Sequence, residues 1–317
     1  MKLCTFPGQG TPISIPTLRS VVSRRPVQCP ESLLRYVYAH PSNPGSIAVS
    51  SALFYQLFAA PLQQQQLLLL GHSLGELTCF WANGMFDIEN LFHIANYRND
   101  LMVQCTKRYL QARGINQRFA LWALSSPRAQ NLPKEVEQLL QELQIDSVSI
   151  ANANSVKQCV VTGLVSELES LRIELHLKFP RLRITELTNP DGIPFHNSAV
   201  LRPTHELLYD YIWKIMKDKG TNLNMQLDHP ILCNLDGQLS TVAHRALEKF
   251  VRCSSNTVQF TECYDTINND MSGELDEAIC MGPGSVVYNL VRRNCQLKAW
   301  EFDSLESIQK YEMSHNT

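Results

Sequence analysis

The 317-residue chain predicts an α/β fold in which a small domain interrupts a larger one. Three observations carry this. Apolar, strand-like runs alternate with segments of helical period; one such run, Leu67 to Leu70, ends in a glycine-flanked turn that opens a helix; and the middle of the chain repeats strands and helices in a self-contained order.

Taken in order, Lys2 to Phe6 reads as a strand that runs into the turn Pro7-Gly8-Gln9-Gly10. Ser14 to Arg25 is rich in Arg and Ser and free of acids, a composition shared by mitochondrial targeting helices and by an ordinary first surface helix; the surface helix is the favoured reading. Gln63 to Gln66 is a short low-complexity loop, and Leu67 to Gly71 a buried strand. Glu76 to Ala82 continues as a helix that Asn83-Gly84 terminates. A second helix runs from Ile88 to about Leu110, and the spacing of Leu91, Ile94, Ala95, Leu101 and Met102 turns Arg98 inward.

Phe119 to Ser125 and Val148 to Ala153 then read as strands around a helix from Pro133 to Leu143. A strand at Cys159 to Thr162, a helix at Ser166 to Leu177 and a strand at Leu182 to Leu187 complete a β-α-β-β-α-β order, the split ferredoxin-like unit. The inserted small domain is therefore placed at 118–190, between the parts 1–117 and 191–317 of the larger domain. Beyond it come a helix from Val200 to Lys217, a strand from Ile231 to Asn234 with an Asp236-Gly237 turn, a strand from Ala278 to Met281, and a Gly282-Pro283-Gly284 turn into a helix from Ser285 to Arg292.

With 28 basic against 30 acidic side chains, and no basic run longer than a pair, the chain is not an electrostatic nucleic-acid binder. Its longest aliphatic run is four residues, which excludes a membrane-spanning helix. The ten cysteines form no C-x-x-C pair and no zinc-ligand spacing, so no metal site is expected; they read as free thiols of a soluble protein in a reducing compartment.

Gly71-His72-Ser73-Leu74-Gly75 is a G-x-S-x-G between a strand and a helix, the pattern of a nucleophile elbow, and it gives the larger domain an α/β-hydrolase-like character. The competing reading makes Ser73 an N-cap, since Ser73-x-x-Glu76 also fits a capping box. A nucleophilic serine needs a base. Of the nine histidines, His72 is its neighbour and His315 lies in a polar tail, whereas His196 sits where the chain returns from the insert, so that it can face a cleft between the two parts; a base and a plain surface or core histidine stay equally open for it at this point. Arg98, turned inward, requires a carboxylate from either the protein or a ligand. Phe6 to Gly10 supplies a turn able to line an anion hole, although a lone G-x-G is weak.

Together these segments resemble the malonyl-CoA:acyl carrier protein transacylase family, and within it the mitochondrial enzymes of yeasts. The matching pieces, in family order, are FPGQG at 6–10, GHSLGE at 71–76, YRNDLM at 97–102, ANANSVKQCVVTG at 151–163, PFHN at 194–197, TVQF at 257–260 and GPG at 282–284. The resemblance implies that Ser73 carries the acyl group, that His196 is its base, and that the backbone carbonyl of Gln259 steadies His196 in place of a carboxylate. It implies an oxyanion hole formed by the amides of Gln9 and Leu74, and Arg98 as the partner of the malonyl carboxylate. The resemblance further implies that Met102 and Phe195 line the pocket, with Phe195 filling the space that an α-methyl branch would need.

The activity so implied is malonyl transfer from malonyl-CoA to the pantetheine thiol of acyl carrier protein, in fatty acid biosynthesis. It needs no cofactor beyond the groups its substrates carry. The rivals are an α/β-type serine hydrolase, which would want an acidic residue and a late histidine after the serine, and a non-catalytic carrier-binding protein, which intact Ser73, His196 and Arg98 argue against. An acidic carrier calls for a local basic surface, for which Lys178, Arg181, Arg183 and Arg202 are candidates. A monomer is expected, located in mitochondria by resemblance, with FPGQG too early in the chain to leave room for a cleavable presequence.

Overall fold

A computed structural model describes residues 1–24, 26–59, 66–145 and 147–315, apart from the side chain of Ala59. The larger sheet has six strands: β1 (Lys2–Phe6), β2 (Leu67–Gly71), β7 (Gln226–Leu232), β8 (Leu239–Val242), β9 (Glu277–Met281) and β10 (Lys298–Phe302). They lie in the order β10-β9-β1-β2-β7-β8, all parallel except β8, which pairs antiparallel with β7.

Burial on both faces explains why β2 reads as unbroken leucine. Leu67 and Leu69 join one core with Cys4, Ile279 and Met281, under the helices Pro44–Ala59, Ile88–Ala112, His205–Asp218 and Ala243–Cys253. Leu68 and Leu70 join the other with Leu3, Ala278 and Cys280, against the helices Phe260–Asp265 and Val286–Asn294. Each fully buried leucine of this set contributes about 1.5–3 kcal/mol.

The second sheet is antiparallel, in the order β4-β5-β3-β6, from β3 (Phe119–Ser125), β4 (Ser149–Ser155), β5 (Gln158–Leu164) and β6 (Arg183–Glu186). The helices Leu132–Glu142 and Val165–Lys178 cover one face of it, packing Val136, Leu139, Leu168, Leu171 and Leu175 on Trp122, Leu124 and Val161. Val258, outside the named strands, lies beside β4: its N–H donates to the Ala151 carbonyl and its carbonyl accepts from the Ala153 N–H, each at 2.9 Å. That contact brings the segment after the helix Ala243–Cys253 to the edge strand of the second sheet.

Two expectations are corrected. The single helix from Val200 to Lys217 is broken into Ser198–Leu201, a 3-10 turn at Arg202–Thr204 and His205–Asp218, because Pro203 has no N–H to continue the ladder. The strand β7 starts earlier than expected and stops at Leu232, leaving Asn234 in the loop beyond it. The acid-free segment forms the short helix Ile15–Val22, which buries Leu18 and Val21. The low-complexity step lies outside the described residues except for Gln66, as does Arg25. All ten cysteines are unpaired, nine of them buried, and no helix among the described residues is long and apolar enough to cross a membrane.

At the far end of the sheet from the serine, Glu277 gathers the C-terminal helix Leu305–His315. It pairs with Lys2 and accepts from Trp300 Nε1 at 2.6 Å, from His315 Nε2 at 3.0 Å and from the Tyr311 hydroxyl at 3.3 Å. Against the cost of burial, these partners hold the Glu277 carboxyl below its ordinary value. Its contribution to stability is therefore complete above the unfolded-state value and is lost as pH falls. Glu277→Gln is expected to cost about 1–3 kcal/mol at pH 7 in urea unfolding. The gap between variant and parent should narrow as pH drops below about 4.5; a gap constant down to pH 3 would contradict the account.

Candidate active site

The strand β2 delivers Gly71 into a turn that places Ser73 at φ 50°, in the left-handed region, before the helix Gly75–Ala82 begins. The glycines on either side are dictated by contact. A Cβ on Gly71 would strike the Gly75 carbonyl and the Glu76 amide, and one on Gly75 would strike the Phe6 carbonyl. Phe6 also accepts the His72 N–H at 2.9 Å, which seats the turn after β1 beside the serine turn.

Ser73 does not cap the helix. Its Oγ lies 2.8 Å from His196 Nε2 and 3.4 Å from Arg98 Nη2, while the helix N-cap is Leu74, without a side-chain bond. Glu76 is buried in the first turn, where it accepts the Asn234 N–H at 3.4 Å instead of reaching back to Ser73; desolvation pushes its carboxyl up to about 8. The capping box is therefore not formed.

His196 is 4% exposed and also sits at positive φ, 61°, after the Ile193 turn that Asn189 clamps through two side-chain hydrogen bonds. Its Nδ1 faces the carbonyls of Cys253 at 2.7 Å and Asn256 at 3.0 Å. A carbonyl only accepts, so Nδ1 carries the proton and Nε2 is left with a lone pair toward Ser73. Burial, followed by the charge of Arg98, lowers the His196 pKa to about 3. The imidazole is thus neutral at any ordinary pH.

The carbonyl expected from Gln259 is not the one used. Gln259 precedes the helix Phe260–Asp265, and its oxygen accepts the Cys263 N–H at 3.1 Å in that helix's first turn. Cys253, the last residue of the helix Ala243–Cys253, and Asn256, in the loop after it, take the role.

Arg98 is 2% exposed, with Nε 3.4 Å from Ser254 Oγ and its guanidinium 5.9 Å from the centre of the Phe250 ring. Among the described residues it forms no ion pair, and burial lowers its pKa to about 10, which leaves it charged near pH 7. A buried cation beside the serine hydroxyl, with no carboxylate in ion-pair contact among the described residues, can receive an anionic ligand group. Met102, one turn further along, is fully buried with Ile193, Val200 and Leu201 in an apolar seam, against which half-buried Phe195 packs.

Neither the Gln9 nor the Leu74 amide donates a hydrogen bond within the described residues. The Gln9 side chain is held by Asn99 Oδ1 at 2.8 Å. His72 turns away from the serine's partners, its Nε2 3.1 Å from Asn154 Oδ1 and its ring against Phe260. Of the basic candidates, Lys178 is engaged with Glu142 at 3.3 Å, while Arg181, Arg183 and Arg202 are exposed. Among the described residues no group of three or more His, Cys, Asp or Glu side chains is placed to hold a metal ion. The sequence reading missed Asn234, Cys253, Ser254 and Asn256. Each acts by facing a site residue distant in the chain, and only the polar character of the Ser254-Ser255-Asn256 run hinted at it.

No protein-family model matches the chain. Among curated proteins it is 53% identical, over 98% of both chains, to the mitochondrial malonyl CoA-acyl carrier protein transacylase of Saccharomyces cerevisiae. Solved structures share the fold: the malonyl-CoA:acyl carrier protein transacylase of Helicobacter pylori has TM-score 0.79 at 17% identity, covering 100% of this chain and 99% of that one. The acyl-carrier-protein S-malonyltransferase of Bartonella henselae has TM-score 0.75 at 19% identity, covering both chains completely. Identity above one half along nearly the whole of both sequences goes well beyond a shared fold, and the chain belongs to the malonyl-CoA:acyl carrier protein transacylase family.

Proposed function

We propose that this enzyme moves the malonyl group of malonyl-CoA to the phosphopantetheine thiol of acyl carrier protein through a malonyl ester on Ser73, supplying fatty acid biosynthesis. The observation that carries the chemistry is Ser73 Oγ at 2.8 Å from an imidazole whose other nitrogen is fixed as the donor. Neutral His196 takes the Ser73 proton at Nε2 as Oγ attacks the thioester carbonyl. The amides of Leu74 and Gln9, free of other acceptors, receive the oxyanion. The C–S bond breaks, the CoA sulfur takes the proton from Nε2, and CoA leaves. The carrier thiol then gives its proton to His196 and attacks the ester; the Ser73 oxygen departs and recovers that proton.

Arg98 holds the malonyl carboxylate throughout, and Phe195 with Met102 bounds the acyl pocket. The reaction calls for no resident cofactor, since CoA and phosphopantetheine arrive on the substrates. Two bodies form the enzyme in this reading: an α/β-hydrolase-like part at 1–117 and 191–317, and a ferredoxin-like insert at 118–190, whose sheet order β4-β5-β3-β6 supports the description. Exposed Arg181, Arg183 and Arg202 are the residues proposed to meet the acidic carrier. A monomeric state completes the proposal, with a mitochondrial location, the one that the yeast relative's name states for that protein.

The test is intact-mass spectrometry after brief mixing with malonyl-CoA. A malonyl adduct that disappears on adding carrier protein bearing a free pantetheine thiol is the expected result. An adduct that drains to free malonate equally fast without the carrier would make the protein a hydrolase, and no adduct at all would sink the covalent route.

A further inference from the structure

Asn234 is wholly buried just beyond β7, and the mechanism above gives it no role. Its side-chain oxygen accepts the Ser73 N–H at 2.7 Å, and its side-chain nitrogen donates to the Gly71 carbonyl at 2.7 Å. Its own backbone is engaged as well: the N–H meets Glu76 Oε2 at 3.4 Å, and the carbonyl accepts the Gln259 N–H at 2.8 Å. One residue thus grips both sides of the serine turn, the helix that follows it, and the end of the segment whose carbonyls hold His196.

The fit is chemically specific. A serine at φ 50° stays in the left-handed region only where its surroundings over-determine it. A carboxamide places a donor and an acceptor on one planar group, matched to a carbonyl and an N–H two residues apart. By accepting the Ser73 N–H while Gly75 donates to His72 and Glu76 donates to Ser73, the network leaves the intervening Leu74 N–H as the free donor of the turn. Aspartate there would set a second acceptor against the Gly71 carbonyl, and would restore the donor only when protonated.

We infer that Asn234 is a positioning residue for acyl transfer: its side-chain amide holds the Ser73 turn so that Oγ stays on His196 Nε2 and the Leu74 amide stays open. This rests on Ser73 being the nucleophile. Asn234→Ala and Asn234→Asp, made in the full chain, are compared with the parent by single-turnover acylation with malonyl-CoA and acetyl-CoA at pH 5 to 8, with circular dichroism to establish folding. Asn234→Ala should acylate on the order of a hundredfold more slowly, with KM for malonyl-CoA little changed. The malonyl-to-acetyl ratio should stay that of the parent, because Arg98 is untouched.

Asn234→Asp should be slow at pH 8 and recover toward pH 5, as burial beside a carbonyl keeps its proton on; the parent stays level over that range. Should the alanine variant fail to fold, the aspartate pH profile alone decides. Variants that acylate at the parent's rate, an aspartate variant with the parent's pH profile, or a collapsed malonyl-to-acetyl ratio would overturn the role. Absence of an adduct on the parent would overturn the nucleophile and this inference with it, whereas a normal parent adduct with unimpaired variants overturns this inference alone.

Discussion

Ser73→Ala is expected to abolish the malonyl adduct, and His196→Ala to slow its formation by about 10²–10⁴, the range a positioned base supplies. The reason lies in how the pair is built. The Ser73 hydroxyl has His196 Nε2 as its near partner, and the tautomer is set from behind by two carbonyls, not by a carboxylate. The base works only when neutral, and burial together with Arg98 lowers its pKa to about 3. Through that group, kcat/KM for acetyl-CoA should remain level from pH 8 to 5 and decline only on approach to that value. Once a malonyl carboxylate meets Arg98, the second-largest of the influences that lower the pKa is neutralised. The acid limb of kcat with malonyl-CoA should therefore lie at higher pH than the limb of kcat/KM, since the first reports the complex and the second the free enzyme. Single-turnover acylation across pH measures both, and an acid limb near 6.5 with acetyl-CoA would reject a buried neutral histidine.

Much of this was legible from local pattern. The strand Lys2–Phe6 and the strand Phe119–Ser125 fall where the apolar runs place them, and the G-x-S-x-G sits between a strand and a helix as its glycines require. The inward turn of Arg98 follows from the apolar spacing of its helix, and its burial agrees. Pattern failed where a residue's role depends on what the fold brings opposite it. Asn234 read as the end of a strand, because nothing local tells of Gly71 and Ser73 across the sheet. The carbonyls behind His196 belong to Cys253 and Asn256, six and three residues before the expected Gln259, because a motif fixes which segment approaches and not which peptide of it turns its oxygen inward. Pro203 could have warned that the helix after His196 breaks, a signal that the apolar period overrode.

Arg98→Gln is expected to reverse the preference for malonyl over acetyl. In the proposed mechanism, a charge-assisted pair worth about 1.5–3 kcal/mol favours malonyl in the parent by roughly tenfold to a hundredfold. Removing the guanidinium does more than delete that gain, because the malonyl carboxylate would then enter a buried site with no counter-charge, a situation that costs about 3–5 kcal/mol. Acylation by malonyl-CoA should therefore fall by about 10²–10⁴. Acetyl-CoA carries no charge to strand there, so its rate should fall little, and glutamine keeps a donor near Ser254 and the Ser73 hydroxyl. The same substitution relieves His196 of a neighbouring positive charge, which is the second of the causes lowering its pKa. The acid limb for acetyl-CoA should accordingly move to higher pH in the variant than in the parent. Competition between the two thioesters, read as the ratio of adduct masses, separates this account from general damage to the site. A loss of equal size for both substrates would mean that Arg98 supports the fold of the pocket and does not read the carboxylate.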